Sequence, residues 1–173
     1  MNEVIRALVE RRSCKSYRPD PVPQELLDEI AMAGTYAPNG RGRQAGKIVI
    51  LTDPELLAWL EEKNAEYRGN PGLHTFYGAP AVLLVLADST IPTWVEDGSL
   101  ILGNMLLAAH SLGLGSCWVN RAREEFDAPE GKALLEKWGI PTTYRGVGHC
   151  IVGYPAVLPK SAAPRKADFI VKP

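Results

Sequence analysis

The chain has 173 residues, of which 46% are hydrophobic and 23% charged, with a formal net charge of −1. That length suits one domain whose core buries roughly 70% of the unfolded surface, so no disulfide or structural metal is needed to hold it. The near-neutral balance excludes a global electrostatic footprint for nucleic acid, and any anion site must be local.

In chain order, Asn2 caps a first helix in which Val4, Ile5, Leu8 and Val9 recur at helical spacing up to Arg12. Pro19, Pro21 and Pro23 mark a turn, and a second helix carries Leu26, Leu27, Ile30 and Ala33 on one face, with Gly34 closing it. Ala37–Gly46 is a loop rich in Gly, Pro and Asn. Lys47–Leu51 is a short strand, and Thr52-Asp53-Pro54 starts a third helix. Residues 65–78 are polar and glycine-rich, a loop. Ala81–Ala87 is continuously apolar, the pattern of a strand buried on both faces.

Asp97–Leu112 is a helix with almost no polar stripe, read with Asp97 as its cap. A helix apolar all round must be covered all round, here partly by a second subunit. Gly113 and Gly115 end it, and Ser116–Val119 is a strand. A helix over Glu130–Trp138 and a strand over Gly146–Val152 follow. The tail from Pro155 has little periodicity and is expected to lie along another surface. No repeat or linker divides residues 1–173, so the pattern predicts a single α+β or α/β sandwich.

The cysteines, Cys14, Cys117 and Cys150, are odd in number and lack CxxC spacing, which points to a reducing compartment, the cytoplasm. Met1–Arg12 has no apolar core of signal-peptide length. The longest apolar stretch, Leu100–Leu114, is interrupted by Gly103, Asn104, His110 and Ser111, so no membrane span is expected.

Four segments can carry chemistry. Arg11-Arg12-Ser13-Cys14-Lys15 crowds cations and a hydroxyl at a helix end, which suits phosphate oxygens or simply a basic helix C-terminus. Ala37–Gln44 offers glycines for close backbone approach and amides that can read a planar heterocycle, or is a plain connection. Gly113–Arg121 brings the chain through two glycines into a strand, where backbone N–H groups can face a ligand. Cys117 within it is read as a structural thiol. Lys160, Arg165 and Lys166 in the tail form half an anion site or solubilise it. His74, His110 and His149 have no metal spacing, so no metal site is expected, and no Walker loop, GxSxG elbow or GxGxxG is present.

As an ordered set, these pieces resemble the nitroreductase family of FMN-dependent oxidoreductases. The resemblance spans nearly the whole chain. It rests on Arg-Arg-Ser-x-Lys after the first helix, Ala37-Pro38-Asn39-Gly40 with Arg43-Gln44, and Phe76-Tyr77-Gly78-Ala79-Pro80 before a strand. The Glu96-Asp97-Gly98 to His110 helix, Gly113-Leu114-Gly115-Ser116-Cys117-Trp118, and Gly153-Tyr154-Pro155 with a basic tail complete it.

The resemblance implies an α+β three-layer sandwich around a mostly antiparallel sheet. It also implies a domain-swapped homodimer in which residues 155–173 embrace the partner and two FMN molecules lie at the interface. It places Arg11, Ser13 and, less directly, Arg12 at the phosphate or ribityl chain, with Arg165 and Lys160 closing that site. Lys15 would lie near N1 and O2 of the flavin and stabilise the reduced anion. Pro38, Asn39, Gly40 and Gln44 would pass beside the cofactor, and Asn64 would reach it with its amide. Ser116 to Arg121 would run past the ring, with backbone donors near Asn120 and Arg121.

The implied activity is ping-pong transfer of hydride from NADH or NADPH, through flavin N5, to a nitroaromatic, quinone or similar small acceptor. No side chain is expected to act as an essential acid or base. The alternative is a flavin-holding or redox-sensing protein without turnover. The chain departs from the family pattern at Ala45-Gly46, where relatives carry Pro-Trp, and at Asn120 and Arg121, where some carry Glu and Gly. It also has only a brief loop over Ala87–Trp94, where longer relatives insert covering helices.

Overall fold

Strand β2, Ala81–Asp88, is the middle of the molecule, and its seven apolar residues from Ala81 to Ala87 are all essentially inaccessible. Side chains alternate across a strand. Val82, Leu84 and Leu86 therefore enter one core, and Ala81, Leu83, Val85 and Ala87 the other. The expectation of a strand buried on both faces holds.

The computed structural model describes residues 1–172. Helix α1 (Glu3–Glu10) and helix α2 (Gln24–Thr35) precede β1 (Gly46–Leu51), and α3 (Pro54–Tyr67) leads to β2. Then come α4 (Trp94–Ser111), β3 (Gly115–Val119), α5 (Ala122–Asp127), α6 (Pro129–Lys137) and β4 (Tyr144–Gly153). The sheet order is β1-β2-β4-β3, and each neighbouring pair is antiparallel. One face packs Leu60 of α3, Phe126 of α5 and Leu135 of α6. The other packs Leu27 and Ile30 of α2 with Leu102 and Met105 of α4. The result is the expected α+β sandwich of three layers.

Several boundaries differ from the sequence reading for local reasons. Gly34 does not close α2, which continues to Thr35. A Cβ at Gly34 would stand 2.8 Å from Ile48 Cδ1 and 2.9 Å from Met105 Cγ, so this glycine lets α2 press against β1 and α4. Helix α3 runs on to Tyr67, into the stretch read as loop. Asp97 is not the cap of α4, which begins three residues earlier at Trp94. Helix α5, which the sequence pattern did not show, sits directly on β4: a Cβ at Gly146 would be 2.0 Å from the Ala122 carbonyl oxygen.

Three surfaces remain open, two of them apolar: α1 and the tail, with a mixed line on α4. Helix α1 has no buried residue, although Asn2 caps it by accepting the Ile5 N–H at 2.9 Å. Its Val4, Ile5, Leu8 and Val9 are exposed. On α4, Glu96, Leu100 and Gly103 form an exposed line opposite the buried Leu102, Met105 and Ala109. The tail leaves Val157, Leu158, Phe169, Ile170 and Val171 exposed.

Candidate functional site

Strand β3 is an edge strand, and the chain just after α1 adds itself beside it. Ser13 bridges Ser116 in the parallel sense, and the Cys14 N–H donates to the Ser116 carbonyl at 2.9 Å. This brings Arg11–Lys15 and Ser116–Arg121 together, though about a hundred residues separate them. Between them opens a cleft of about 450 Å³ lined by Ser13, Lys15, Cys117, Trp118, Val119, Asn120 and Arg121. Arg68 at the end of α3 and Tyr77 complete the wall.

The individual side chains take different parts. Arg11 buries Nη1 without any hydrogen-bond partner. A buried donor left unpaired is costly, so this atom calls for an acceptor such as a phosphate oxygen. Arg12 donates Nη1 to the carbonyls of Val9 and Arg11, each at 2.6 Å, in the manner of a helix-end cation, while its Nε is also buried without a partner. Lys15 Nζ stands 5.7 Å from the Tyr77 ring centroid, within cation–π range. Ser116 is buried and its hydroxyl donates to the Leu106 carbonyl at 3.3 Å, so it ties β3 to α4. Cys117 is buried, and burial pushes the Cys150 thiol up to about 12, which keeps it protonated and inert.

The turn at Asn120–Arg121 is strained. Arg121 has φ 84° and ψ 1°, left-handed values that a side chain disfavours. Its backbone N–H donates to Asn120 Oδ1 at 2.9 Å, so that donor already has a partner. Its guanidinium donates to Glu124 Oε1 at 2.7 Å. Burial alone would raise the Glu124 carboxyl, but the Arg121 hydrogen bond and charge outweigh it and hold the group below the usual carboxylate range.

Beneath the turn lies a polar group that the sequence did not reveal. Asn64 is fully buried and donates Nδ2 to the Asn120 carbonyl at 2.6 Å and to Glu125 Oε1 at 2.7 Å. Glu125 Oε2 is 2.9 Å from His149 Nε2, and both residues are inaccessible. His149 Nδ1 lies 3.4 Å from the Val119 carbonyl, and its ring tilts against Phe76 at 5.3 Å. The Asn64 amide nitrogen holds the turn, while its buried Oδ1 has no partner.

The remaining expected residues lie elsewhere. Asn39 and Gln44 line a separate cleft of about 660 Å³ with Asp97 and Tyr144. Asn39 Oδ1 accepts the Gln44 N–H at 2.9 Å, and Asp97 Oδ1 accepts the Gly40 N–H at 2.9 Å, so the Pro38–Gln44 loop is pinned to α4. That loop feeds β1, at the opposite edge of the sheet from β3. Three strand spacings, roughly 14 Å, separate those edges, so within one copy the two groups line different clefts. Lys160 and Arg165 are exposed in the tail and make no hydrogen bond or ion pair among the described residues. Among the described residues, no cluster of three or more His, Cys, Asp or Glu could hold a metal, and no helix is long and apolar enough to cross a membrane.

Comparison with known proteins gives a consistent result. The chain is 32% identical, over 91% of its length and 80% of the relative's, to a protein of Methanothermobacter thermautotrophicus named as an NADH dehydrogenase/NAD(P)H nitroreductase. The crystal structure of a nitroreductase with bound FMN from Bacteroides fragilis matches with a TM-score of 0.90 at 29% identity, covering 99% of each chain. A nitroreductase with bound FMN from Desulfitobacterium hafniense matches with a TM-score of 0.88 at 25% identity, covering 99% of this chain and 98% of that one. The model of the nitroreductase family matches residues 8–154, and the chain belongs to that family.

Proposed function

We propose that the protein is an FMN-dependent oxidoreductase that takes hydride from NADH or NADPH and delivers it to a small planar electrophile such as a nitroaromatic or quinone. The observations that carry this reading are the cleft that joins Ser13 and Lys15 to Asn120 and Arg121, and Arg11, two residues before Ser13 in the chain, whose buried Nη1 lacks an acceptor. The donor set fits FMN. Arg11 and Ser13 suit its phosphate, and the unpartnered Asn64 Oδ1 suits a ring or ribityl donor. Bound FMN supplies the redox chemistry, and the protein binds, orients and tunes it.

Lys15 would place positive charge beside the bound flavin ring, and Trp118, Tyr77 and Arg68 would shape the wall a substrate meets. In this reading donor and acceptor use the same opening in turn, in a ping-pong order. Two copies complete each site. The Pro38–Gln44 loop of one copy meets the Arg11–Lys15 segment of the other, and Arg165 and Lys160 of a tail reach the phosphate. The exposed faces of α1 and α4 and the apolar tail support that assembly.

The purified protein should show an oxidised-flavin absorbance spectrum and release about one FMN per subunit on heating. It should then oxidise NADH or NADPH with a quinone or a nitrofuran. A colourless protein that does not take up added FMN rejects the proposal. Flavin content without turnover selects the flavin-holding alternative, for which the short connection between β2 and α4 leaves room.

A further inference from the structure

We propose that Asn64, Glu125 and His149 are positioning residues that lock the strained Asn120–Arg121 turn in its cleft-facing conformation. The group spans three elements, α3, α5 and β4, and all three side chains are at most 1% exposed. Polar side chains of this kind rarely lie in a core without a task, because each must be paired to repay its desolvation. Here the pairing runs in one direction. His149 Nε2 meets Glu125 Oε2 at 2.9 Å, Glu125 Oε1 accepts from Asn64 at 2.7 Å, and Asn64 donates onward to the Asn120 carbonyl at 2.6 Å.

Both ring nitrogens of His149 face oxygens, Glu125 Oε2 and the Val119 carbonyl. The Nε2 contact is a close approach of 2.9 Å without hydrogen-bond alignment, and the Nδ1 contact with the Val119 carbonyl is 3.4 Å long. The network thus grips the strand end at Val119 and the next carbonyl at Asn120 together. The residue that follows is Arg121, a non-glycine residue at φ 84°. Such a conformation persists only where its surroundings over-determine it, and such residues cluster at functional sites. The same histidine packs on Phe76, the neighbour of Tyr77, so one buried group braces two walls of the cleft.

The consequence for flavin chemistry rests on the flavin reading of this cleft, but the positioning itself does not. The test is amide hydrogen exchange on the full-length protein with Asn64→Ala, and with Asn64→Ser should the alanine variant not fold. A serine hydroxyl is too short to serve Asn120 and Glu125 together. Exchange across residues 118–122 should rise about tenfold or more while β2 stays protected.

A double-mutant cycle supplies the second readout. In the Arg121→Gly background the turn no longer carries strain, so Asn64→Ala should lower the melting temperature less than it does in the parent. In FMN-loaded protein, Asn64→Ala should slow flavin reduction by several-fold more than it weakens FMN binding, and Arg121→Gly should recover part of that loss. Unchanged exchange at 118–122, or strict additivity in the cycle, makes the three residues merely structural and overturns the proposal. A parent protein that fails to bind FMN rejects the flavin reading alone, since exchange and additivity still decide the network.

Discussion

The Asp97 carboxylate, at the start of α4, accepts the backbone N–H of Gly40 at 2.9 Å across 57 residues of sequence. Its other oxygen accepts the Thr93 hydroxyl at 3.1 Å, and the residue is 3% exposed. Removing it strands two donors. Asp97→Ala should cost roughly 1–3 kcal/mol, the usual penalty for unpaired groups that faced a charged partner. Thermal unfolding reads the loss, and increased proteolysis within residues 38–44 should accompany it.

Arg11 gives a prediction of opposite sign. Its buried Nη1 has no partner, so the side chain carries a desolvation cost when the site is empty. Arg11→Met should leave the melting temperature of flavin-free protein unchanged or higher. It should also abolish most of the rise that saturating FMN produces, since that rise reports affinity. A calorimetric scan with and without FMN separates the two effects.

The proposed function gives Lys15 the reduced ring's electrostatics rather than the grip on it. Lys15→Ala should slow flavin reduction on the order of tenfold while FMN affinity changes less. Stopped-flow reduction at matched flavin occupancy is the measurement, and a wild-type rate would remove that role from Lys15.

Asp88 links stability to pH. The Thr90 N–H donates to its Oδ1 at 3.1 Å and the Thr90 hydroxyl at 2.9 Å, and these bonds hold its carboxyl below the usual value of 3.8. A depressed folded-state value means the unfolded chain binds the proton first as pH falls. The contribution is therefore complete above the ordinary carboxylate range and is lost on acidification through it. Asp88→Asn should flatten the fall in melting temperature below about pH 4 and change little at neutral pH.

Gly103 separates the single chain from its assembly. It is exposed on α4, and a Cβ there would meet nothing within 4 Å. Gly103→Glu should fold, gaining helix propensity of up to about 1 kcal/mol in the isolated chain. If two copies pack through α4, the same substitution should shift the mass measured by light scattering from dimer to monomer.

The sheet was legible wherever a strand is buried on both faces, because seven consecutive apolar residues at Ala81–Ala87 admit few other readings. The cleft was legible where short ordered motifs mark it, at Arg11–Lys15 and Gly113–Arg121. Helix α5 was not legible. Its six residues include Glu124, Glu125 and Asp127, and its burial comes from backbone contact with β4 at Gly146, which no periodicity records. Missing α5 hid Glu125, and with it the partner of His149. Arg68 was missed for a similar reason. The polar composition after Asn64 reads as loop, yet the Arg68 N–H still bonds the Asn64 carbonyl at 3.1 Å, so the helix carries it to the cleft.

The Lys15 half and the Gly40 half of the machinery sit on opposite rims of one sheet. In the symmetric pair proposed above, each centre would be assembled from unlike halves of two molecules. Two damaged proteins need not be equivalent. A copy disabled at Lys15, mixed with one disabled at Gly40, concentrates both lesions in one centre of the heterodimer and leaves the other wholly sound. Co-expression of the two should restore activity that neither has alone, whereas two lesions on the same half should never complement.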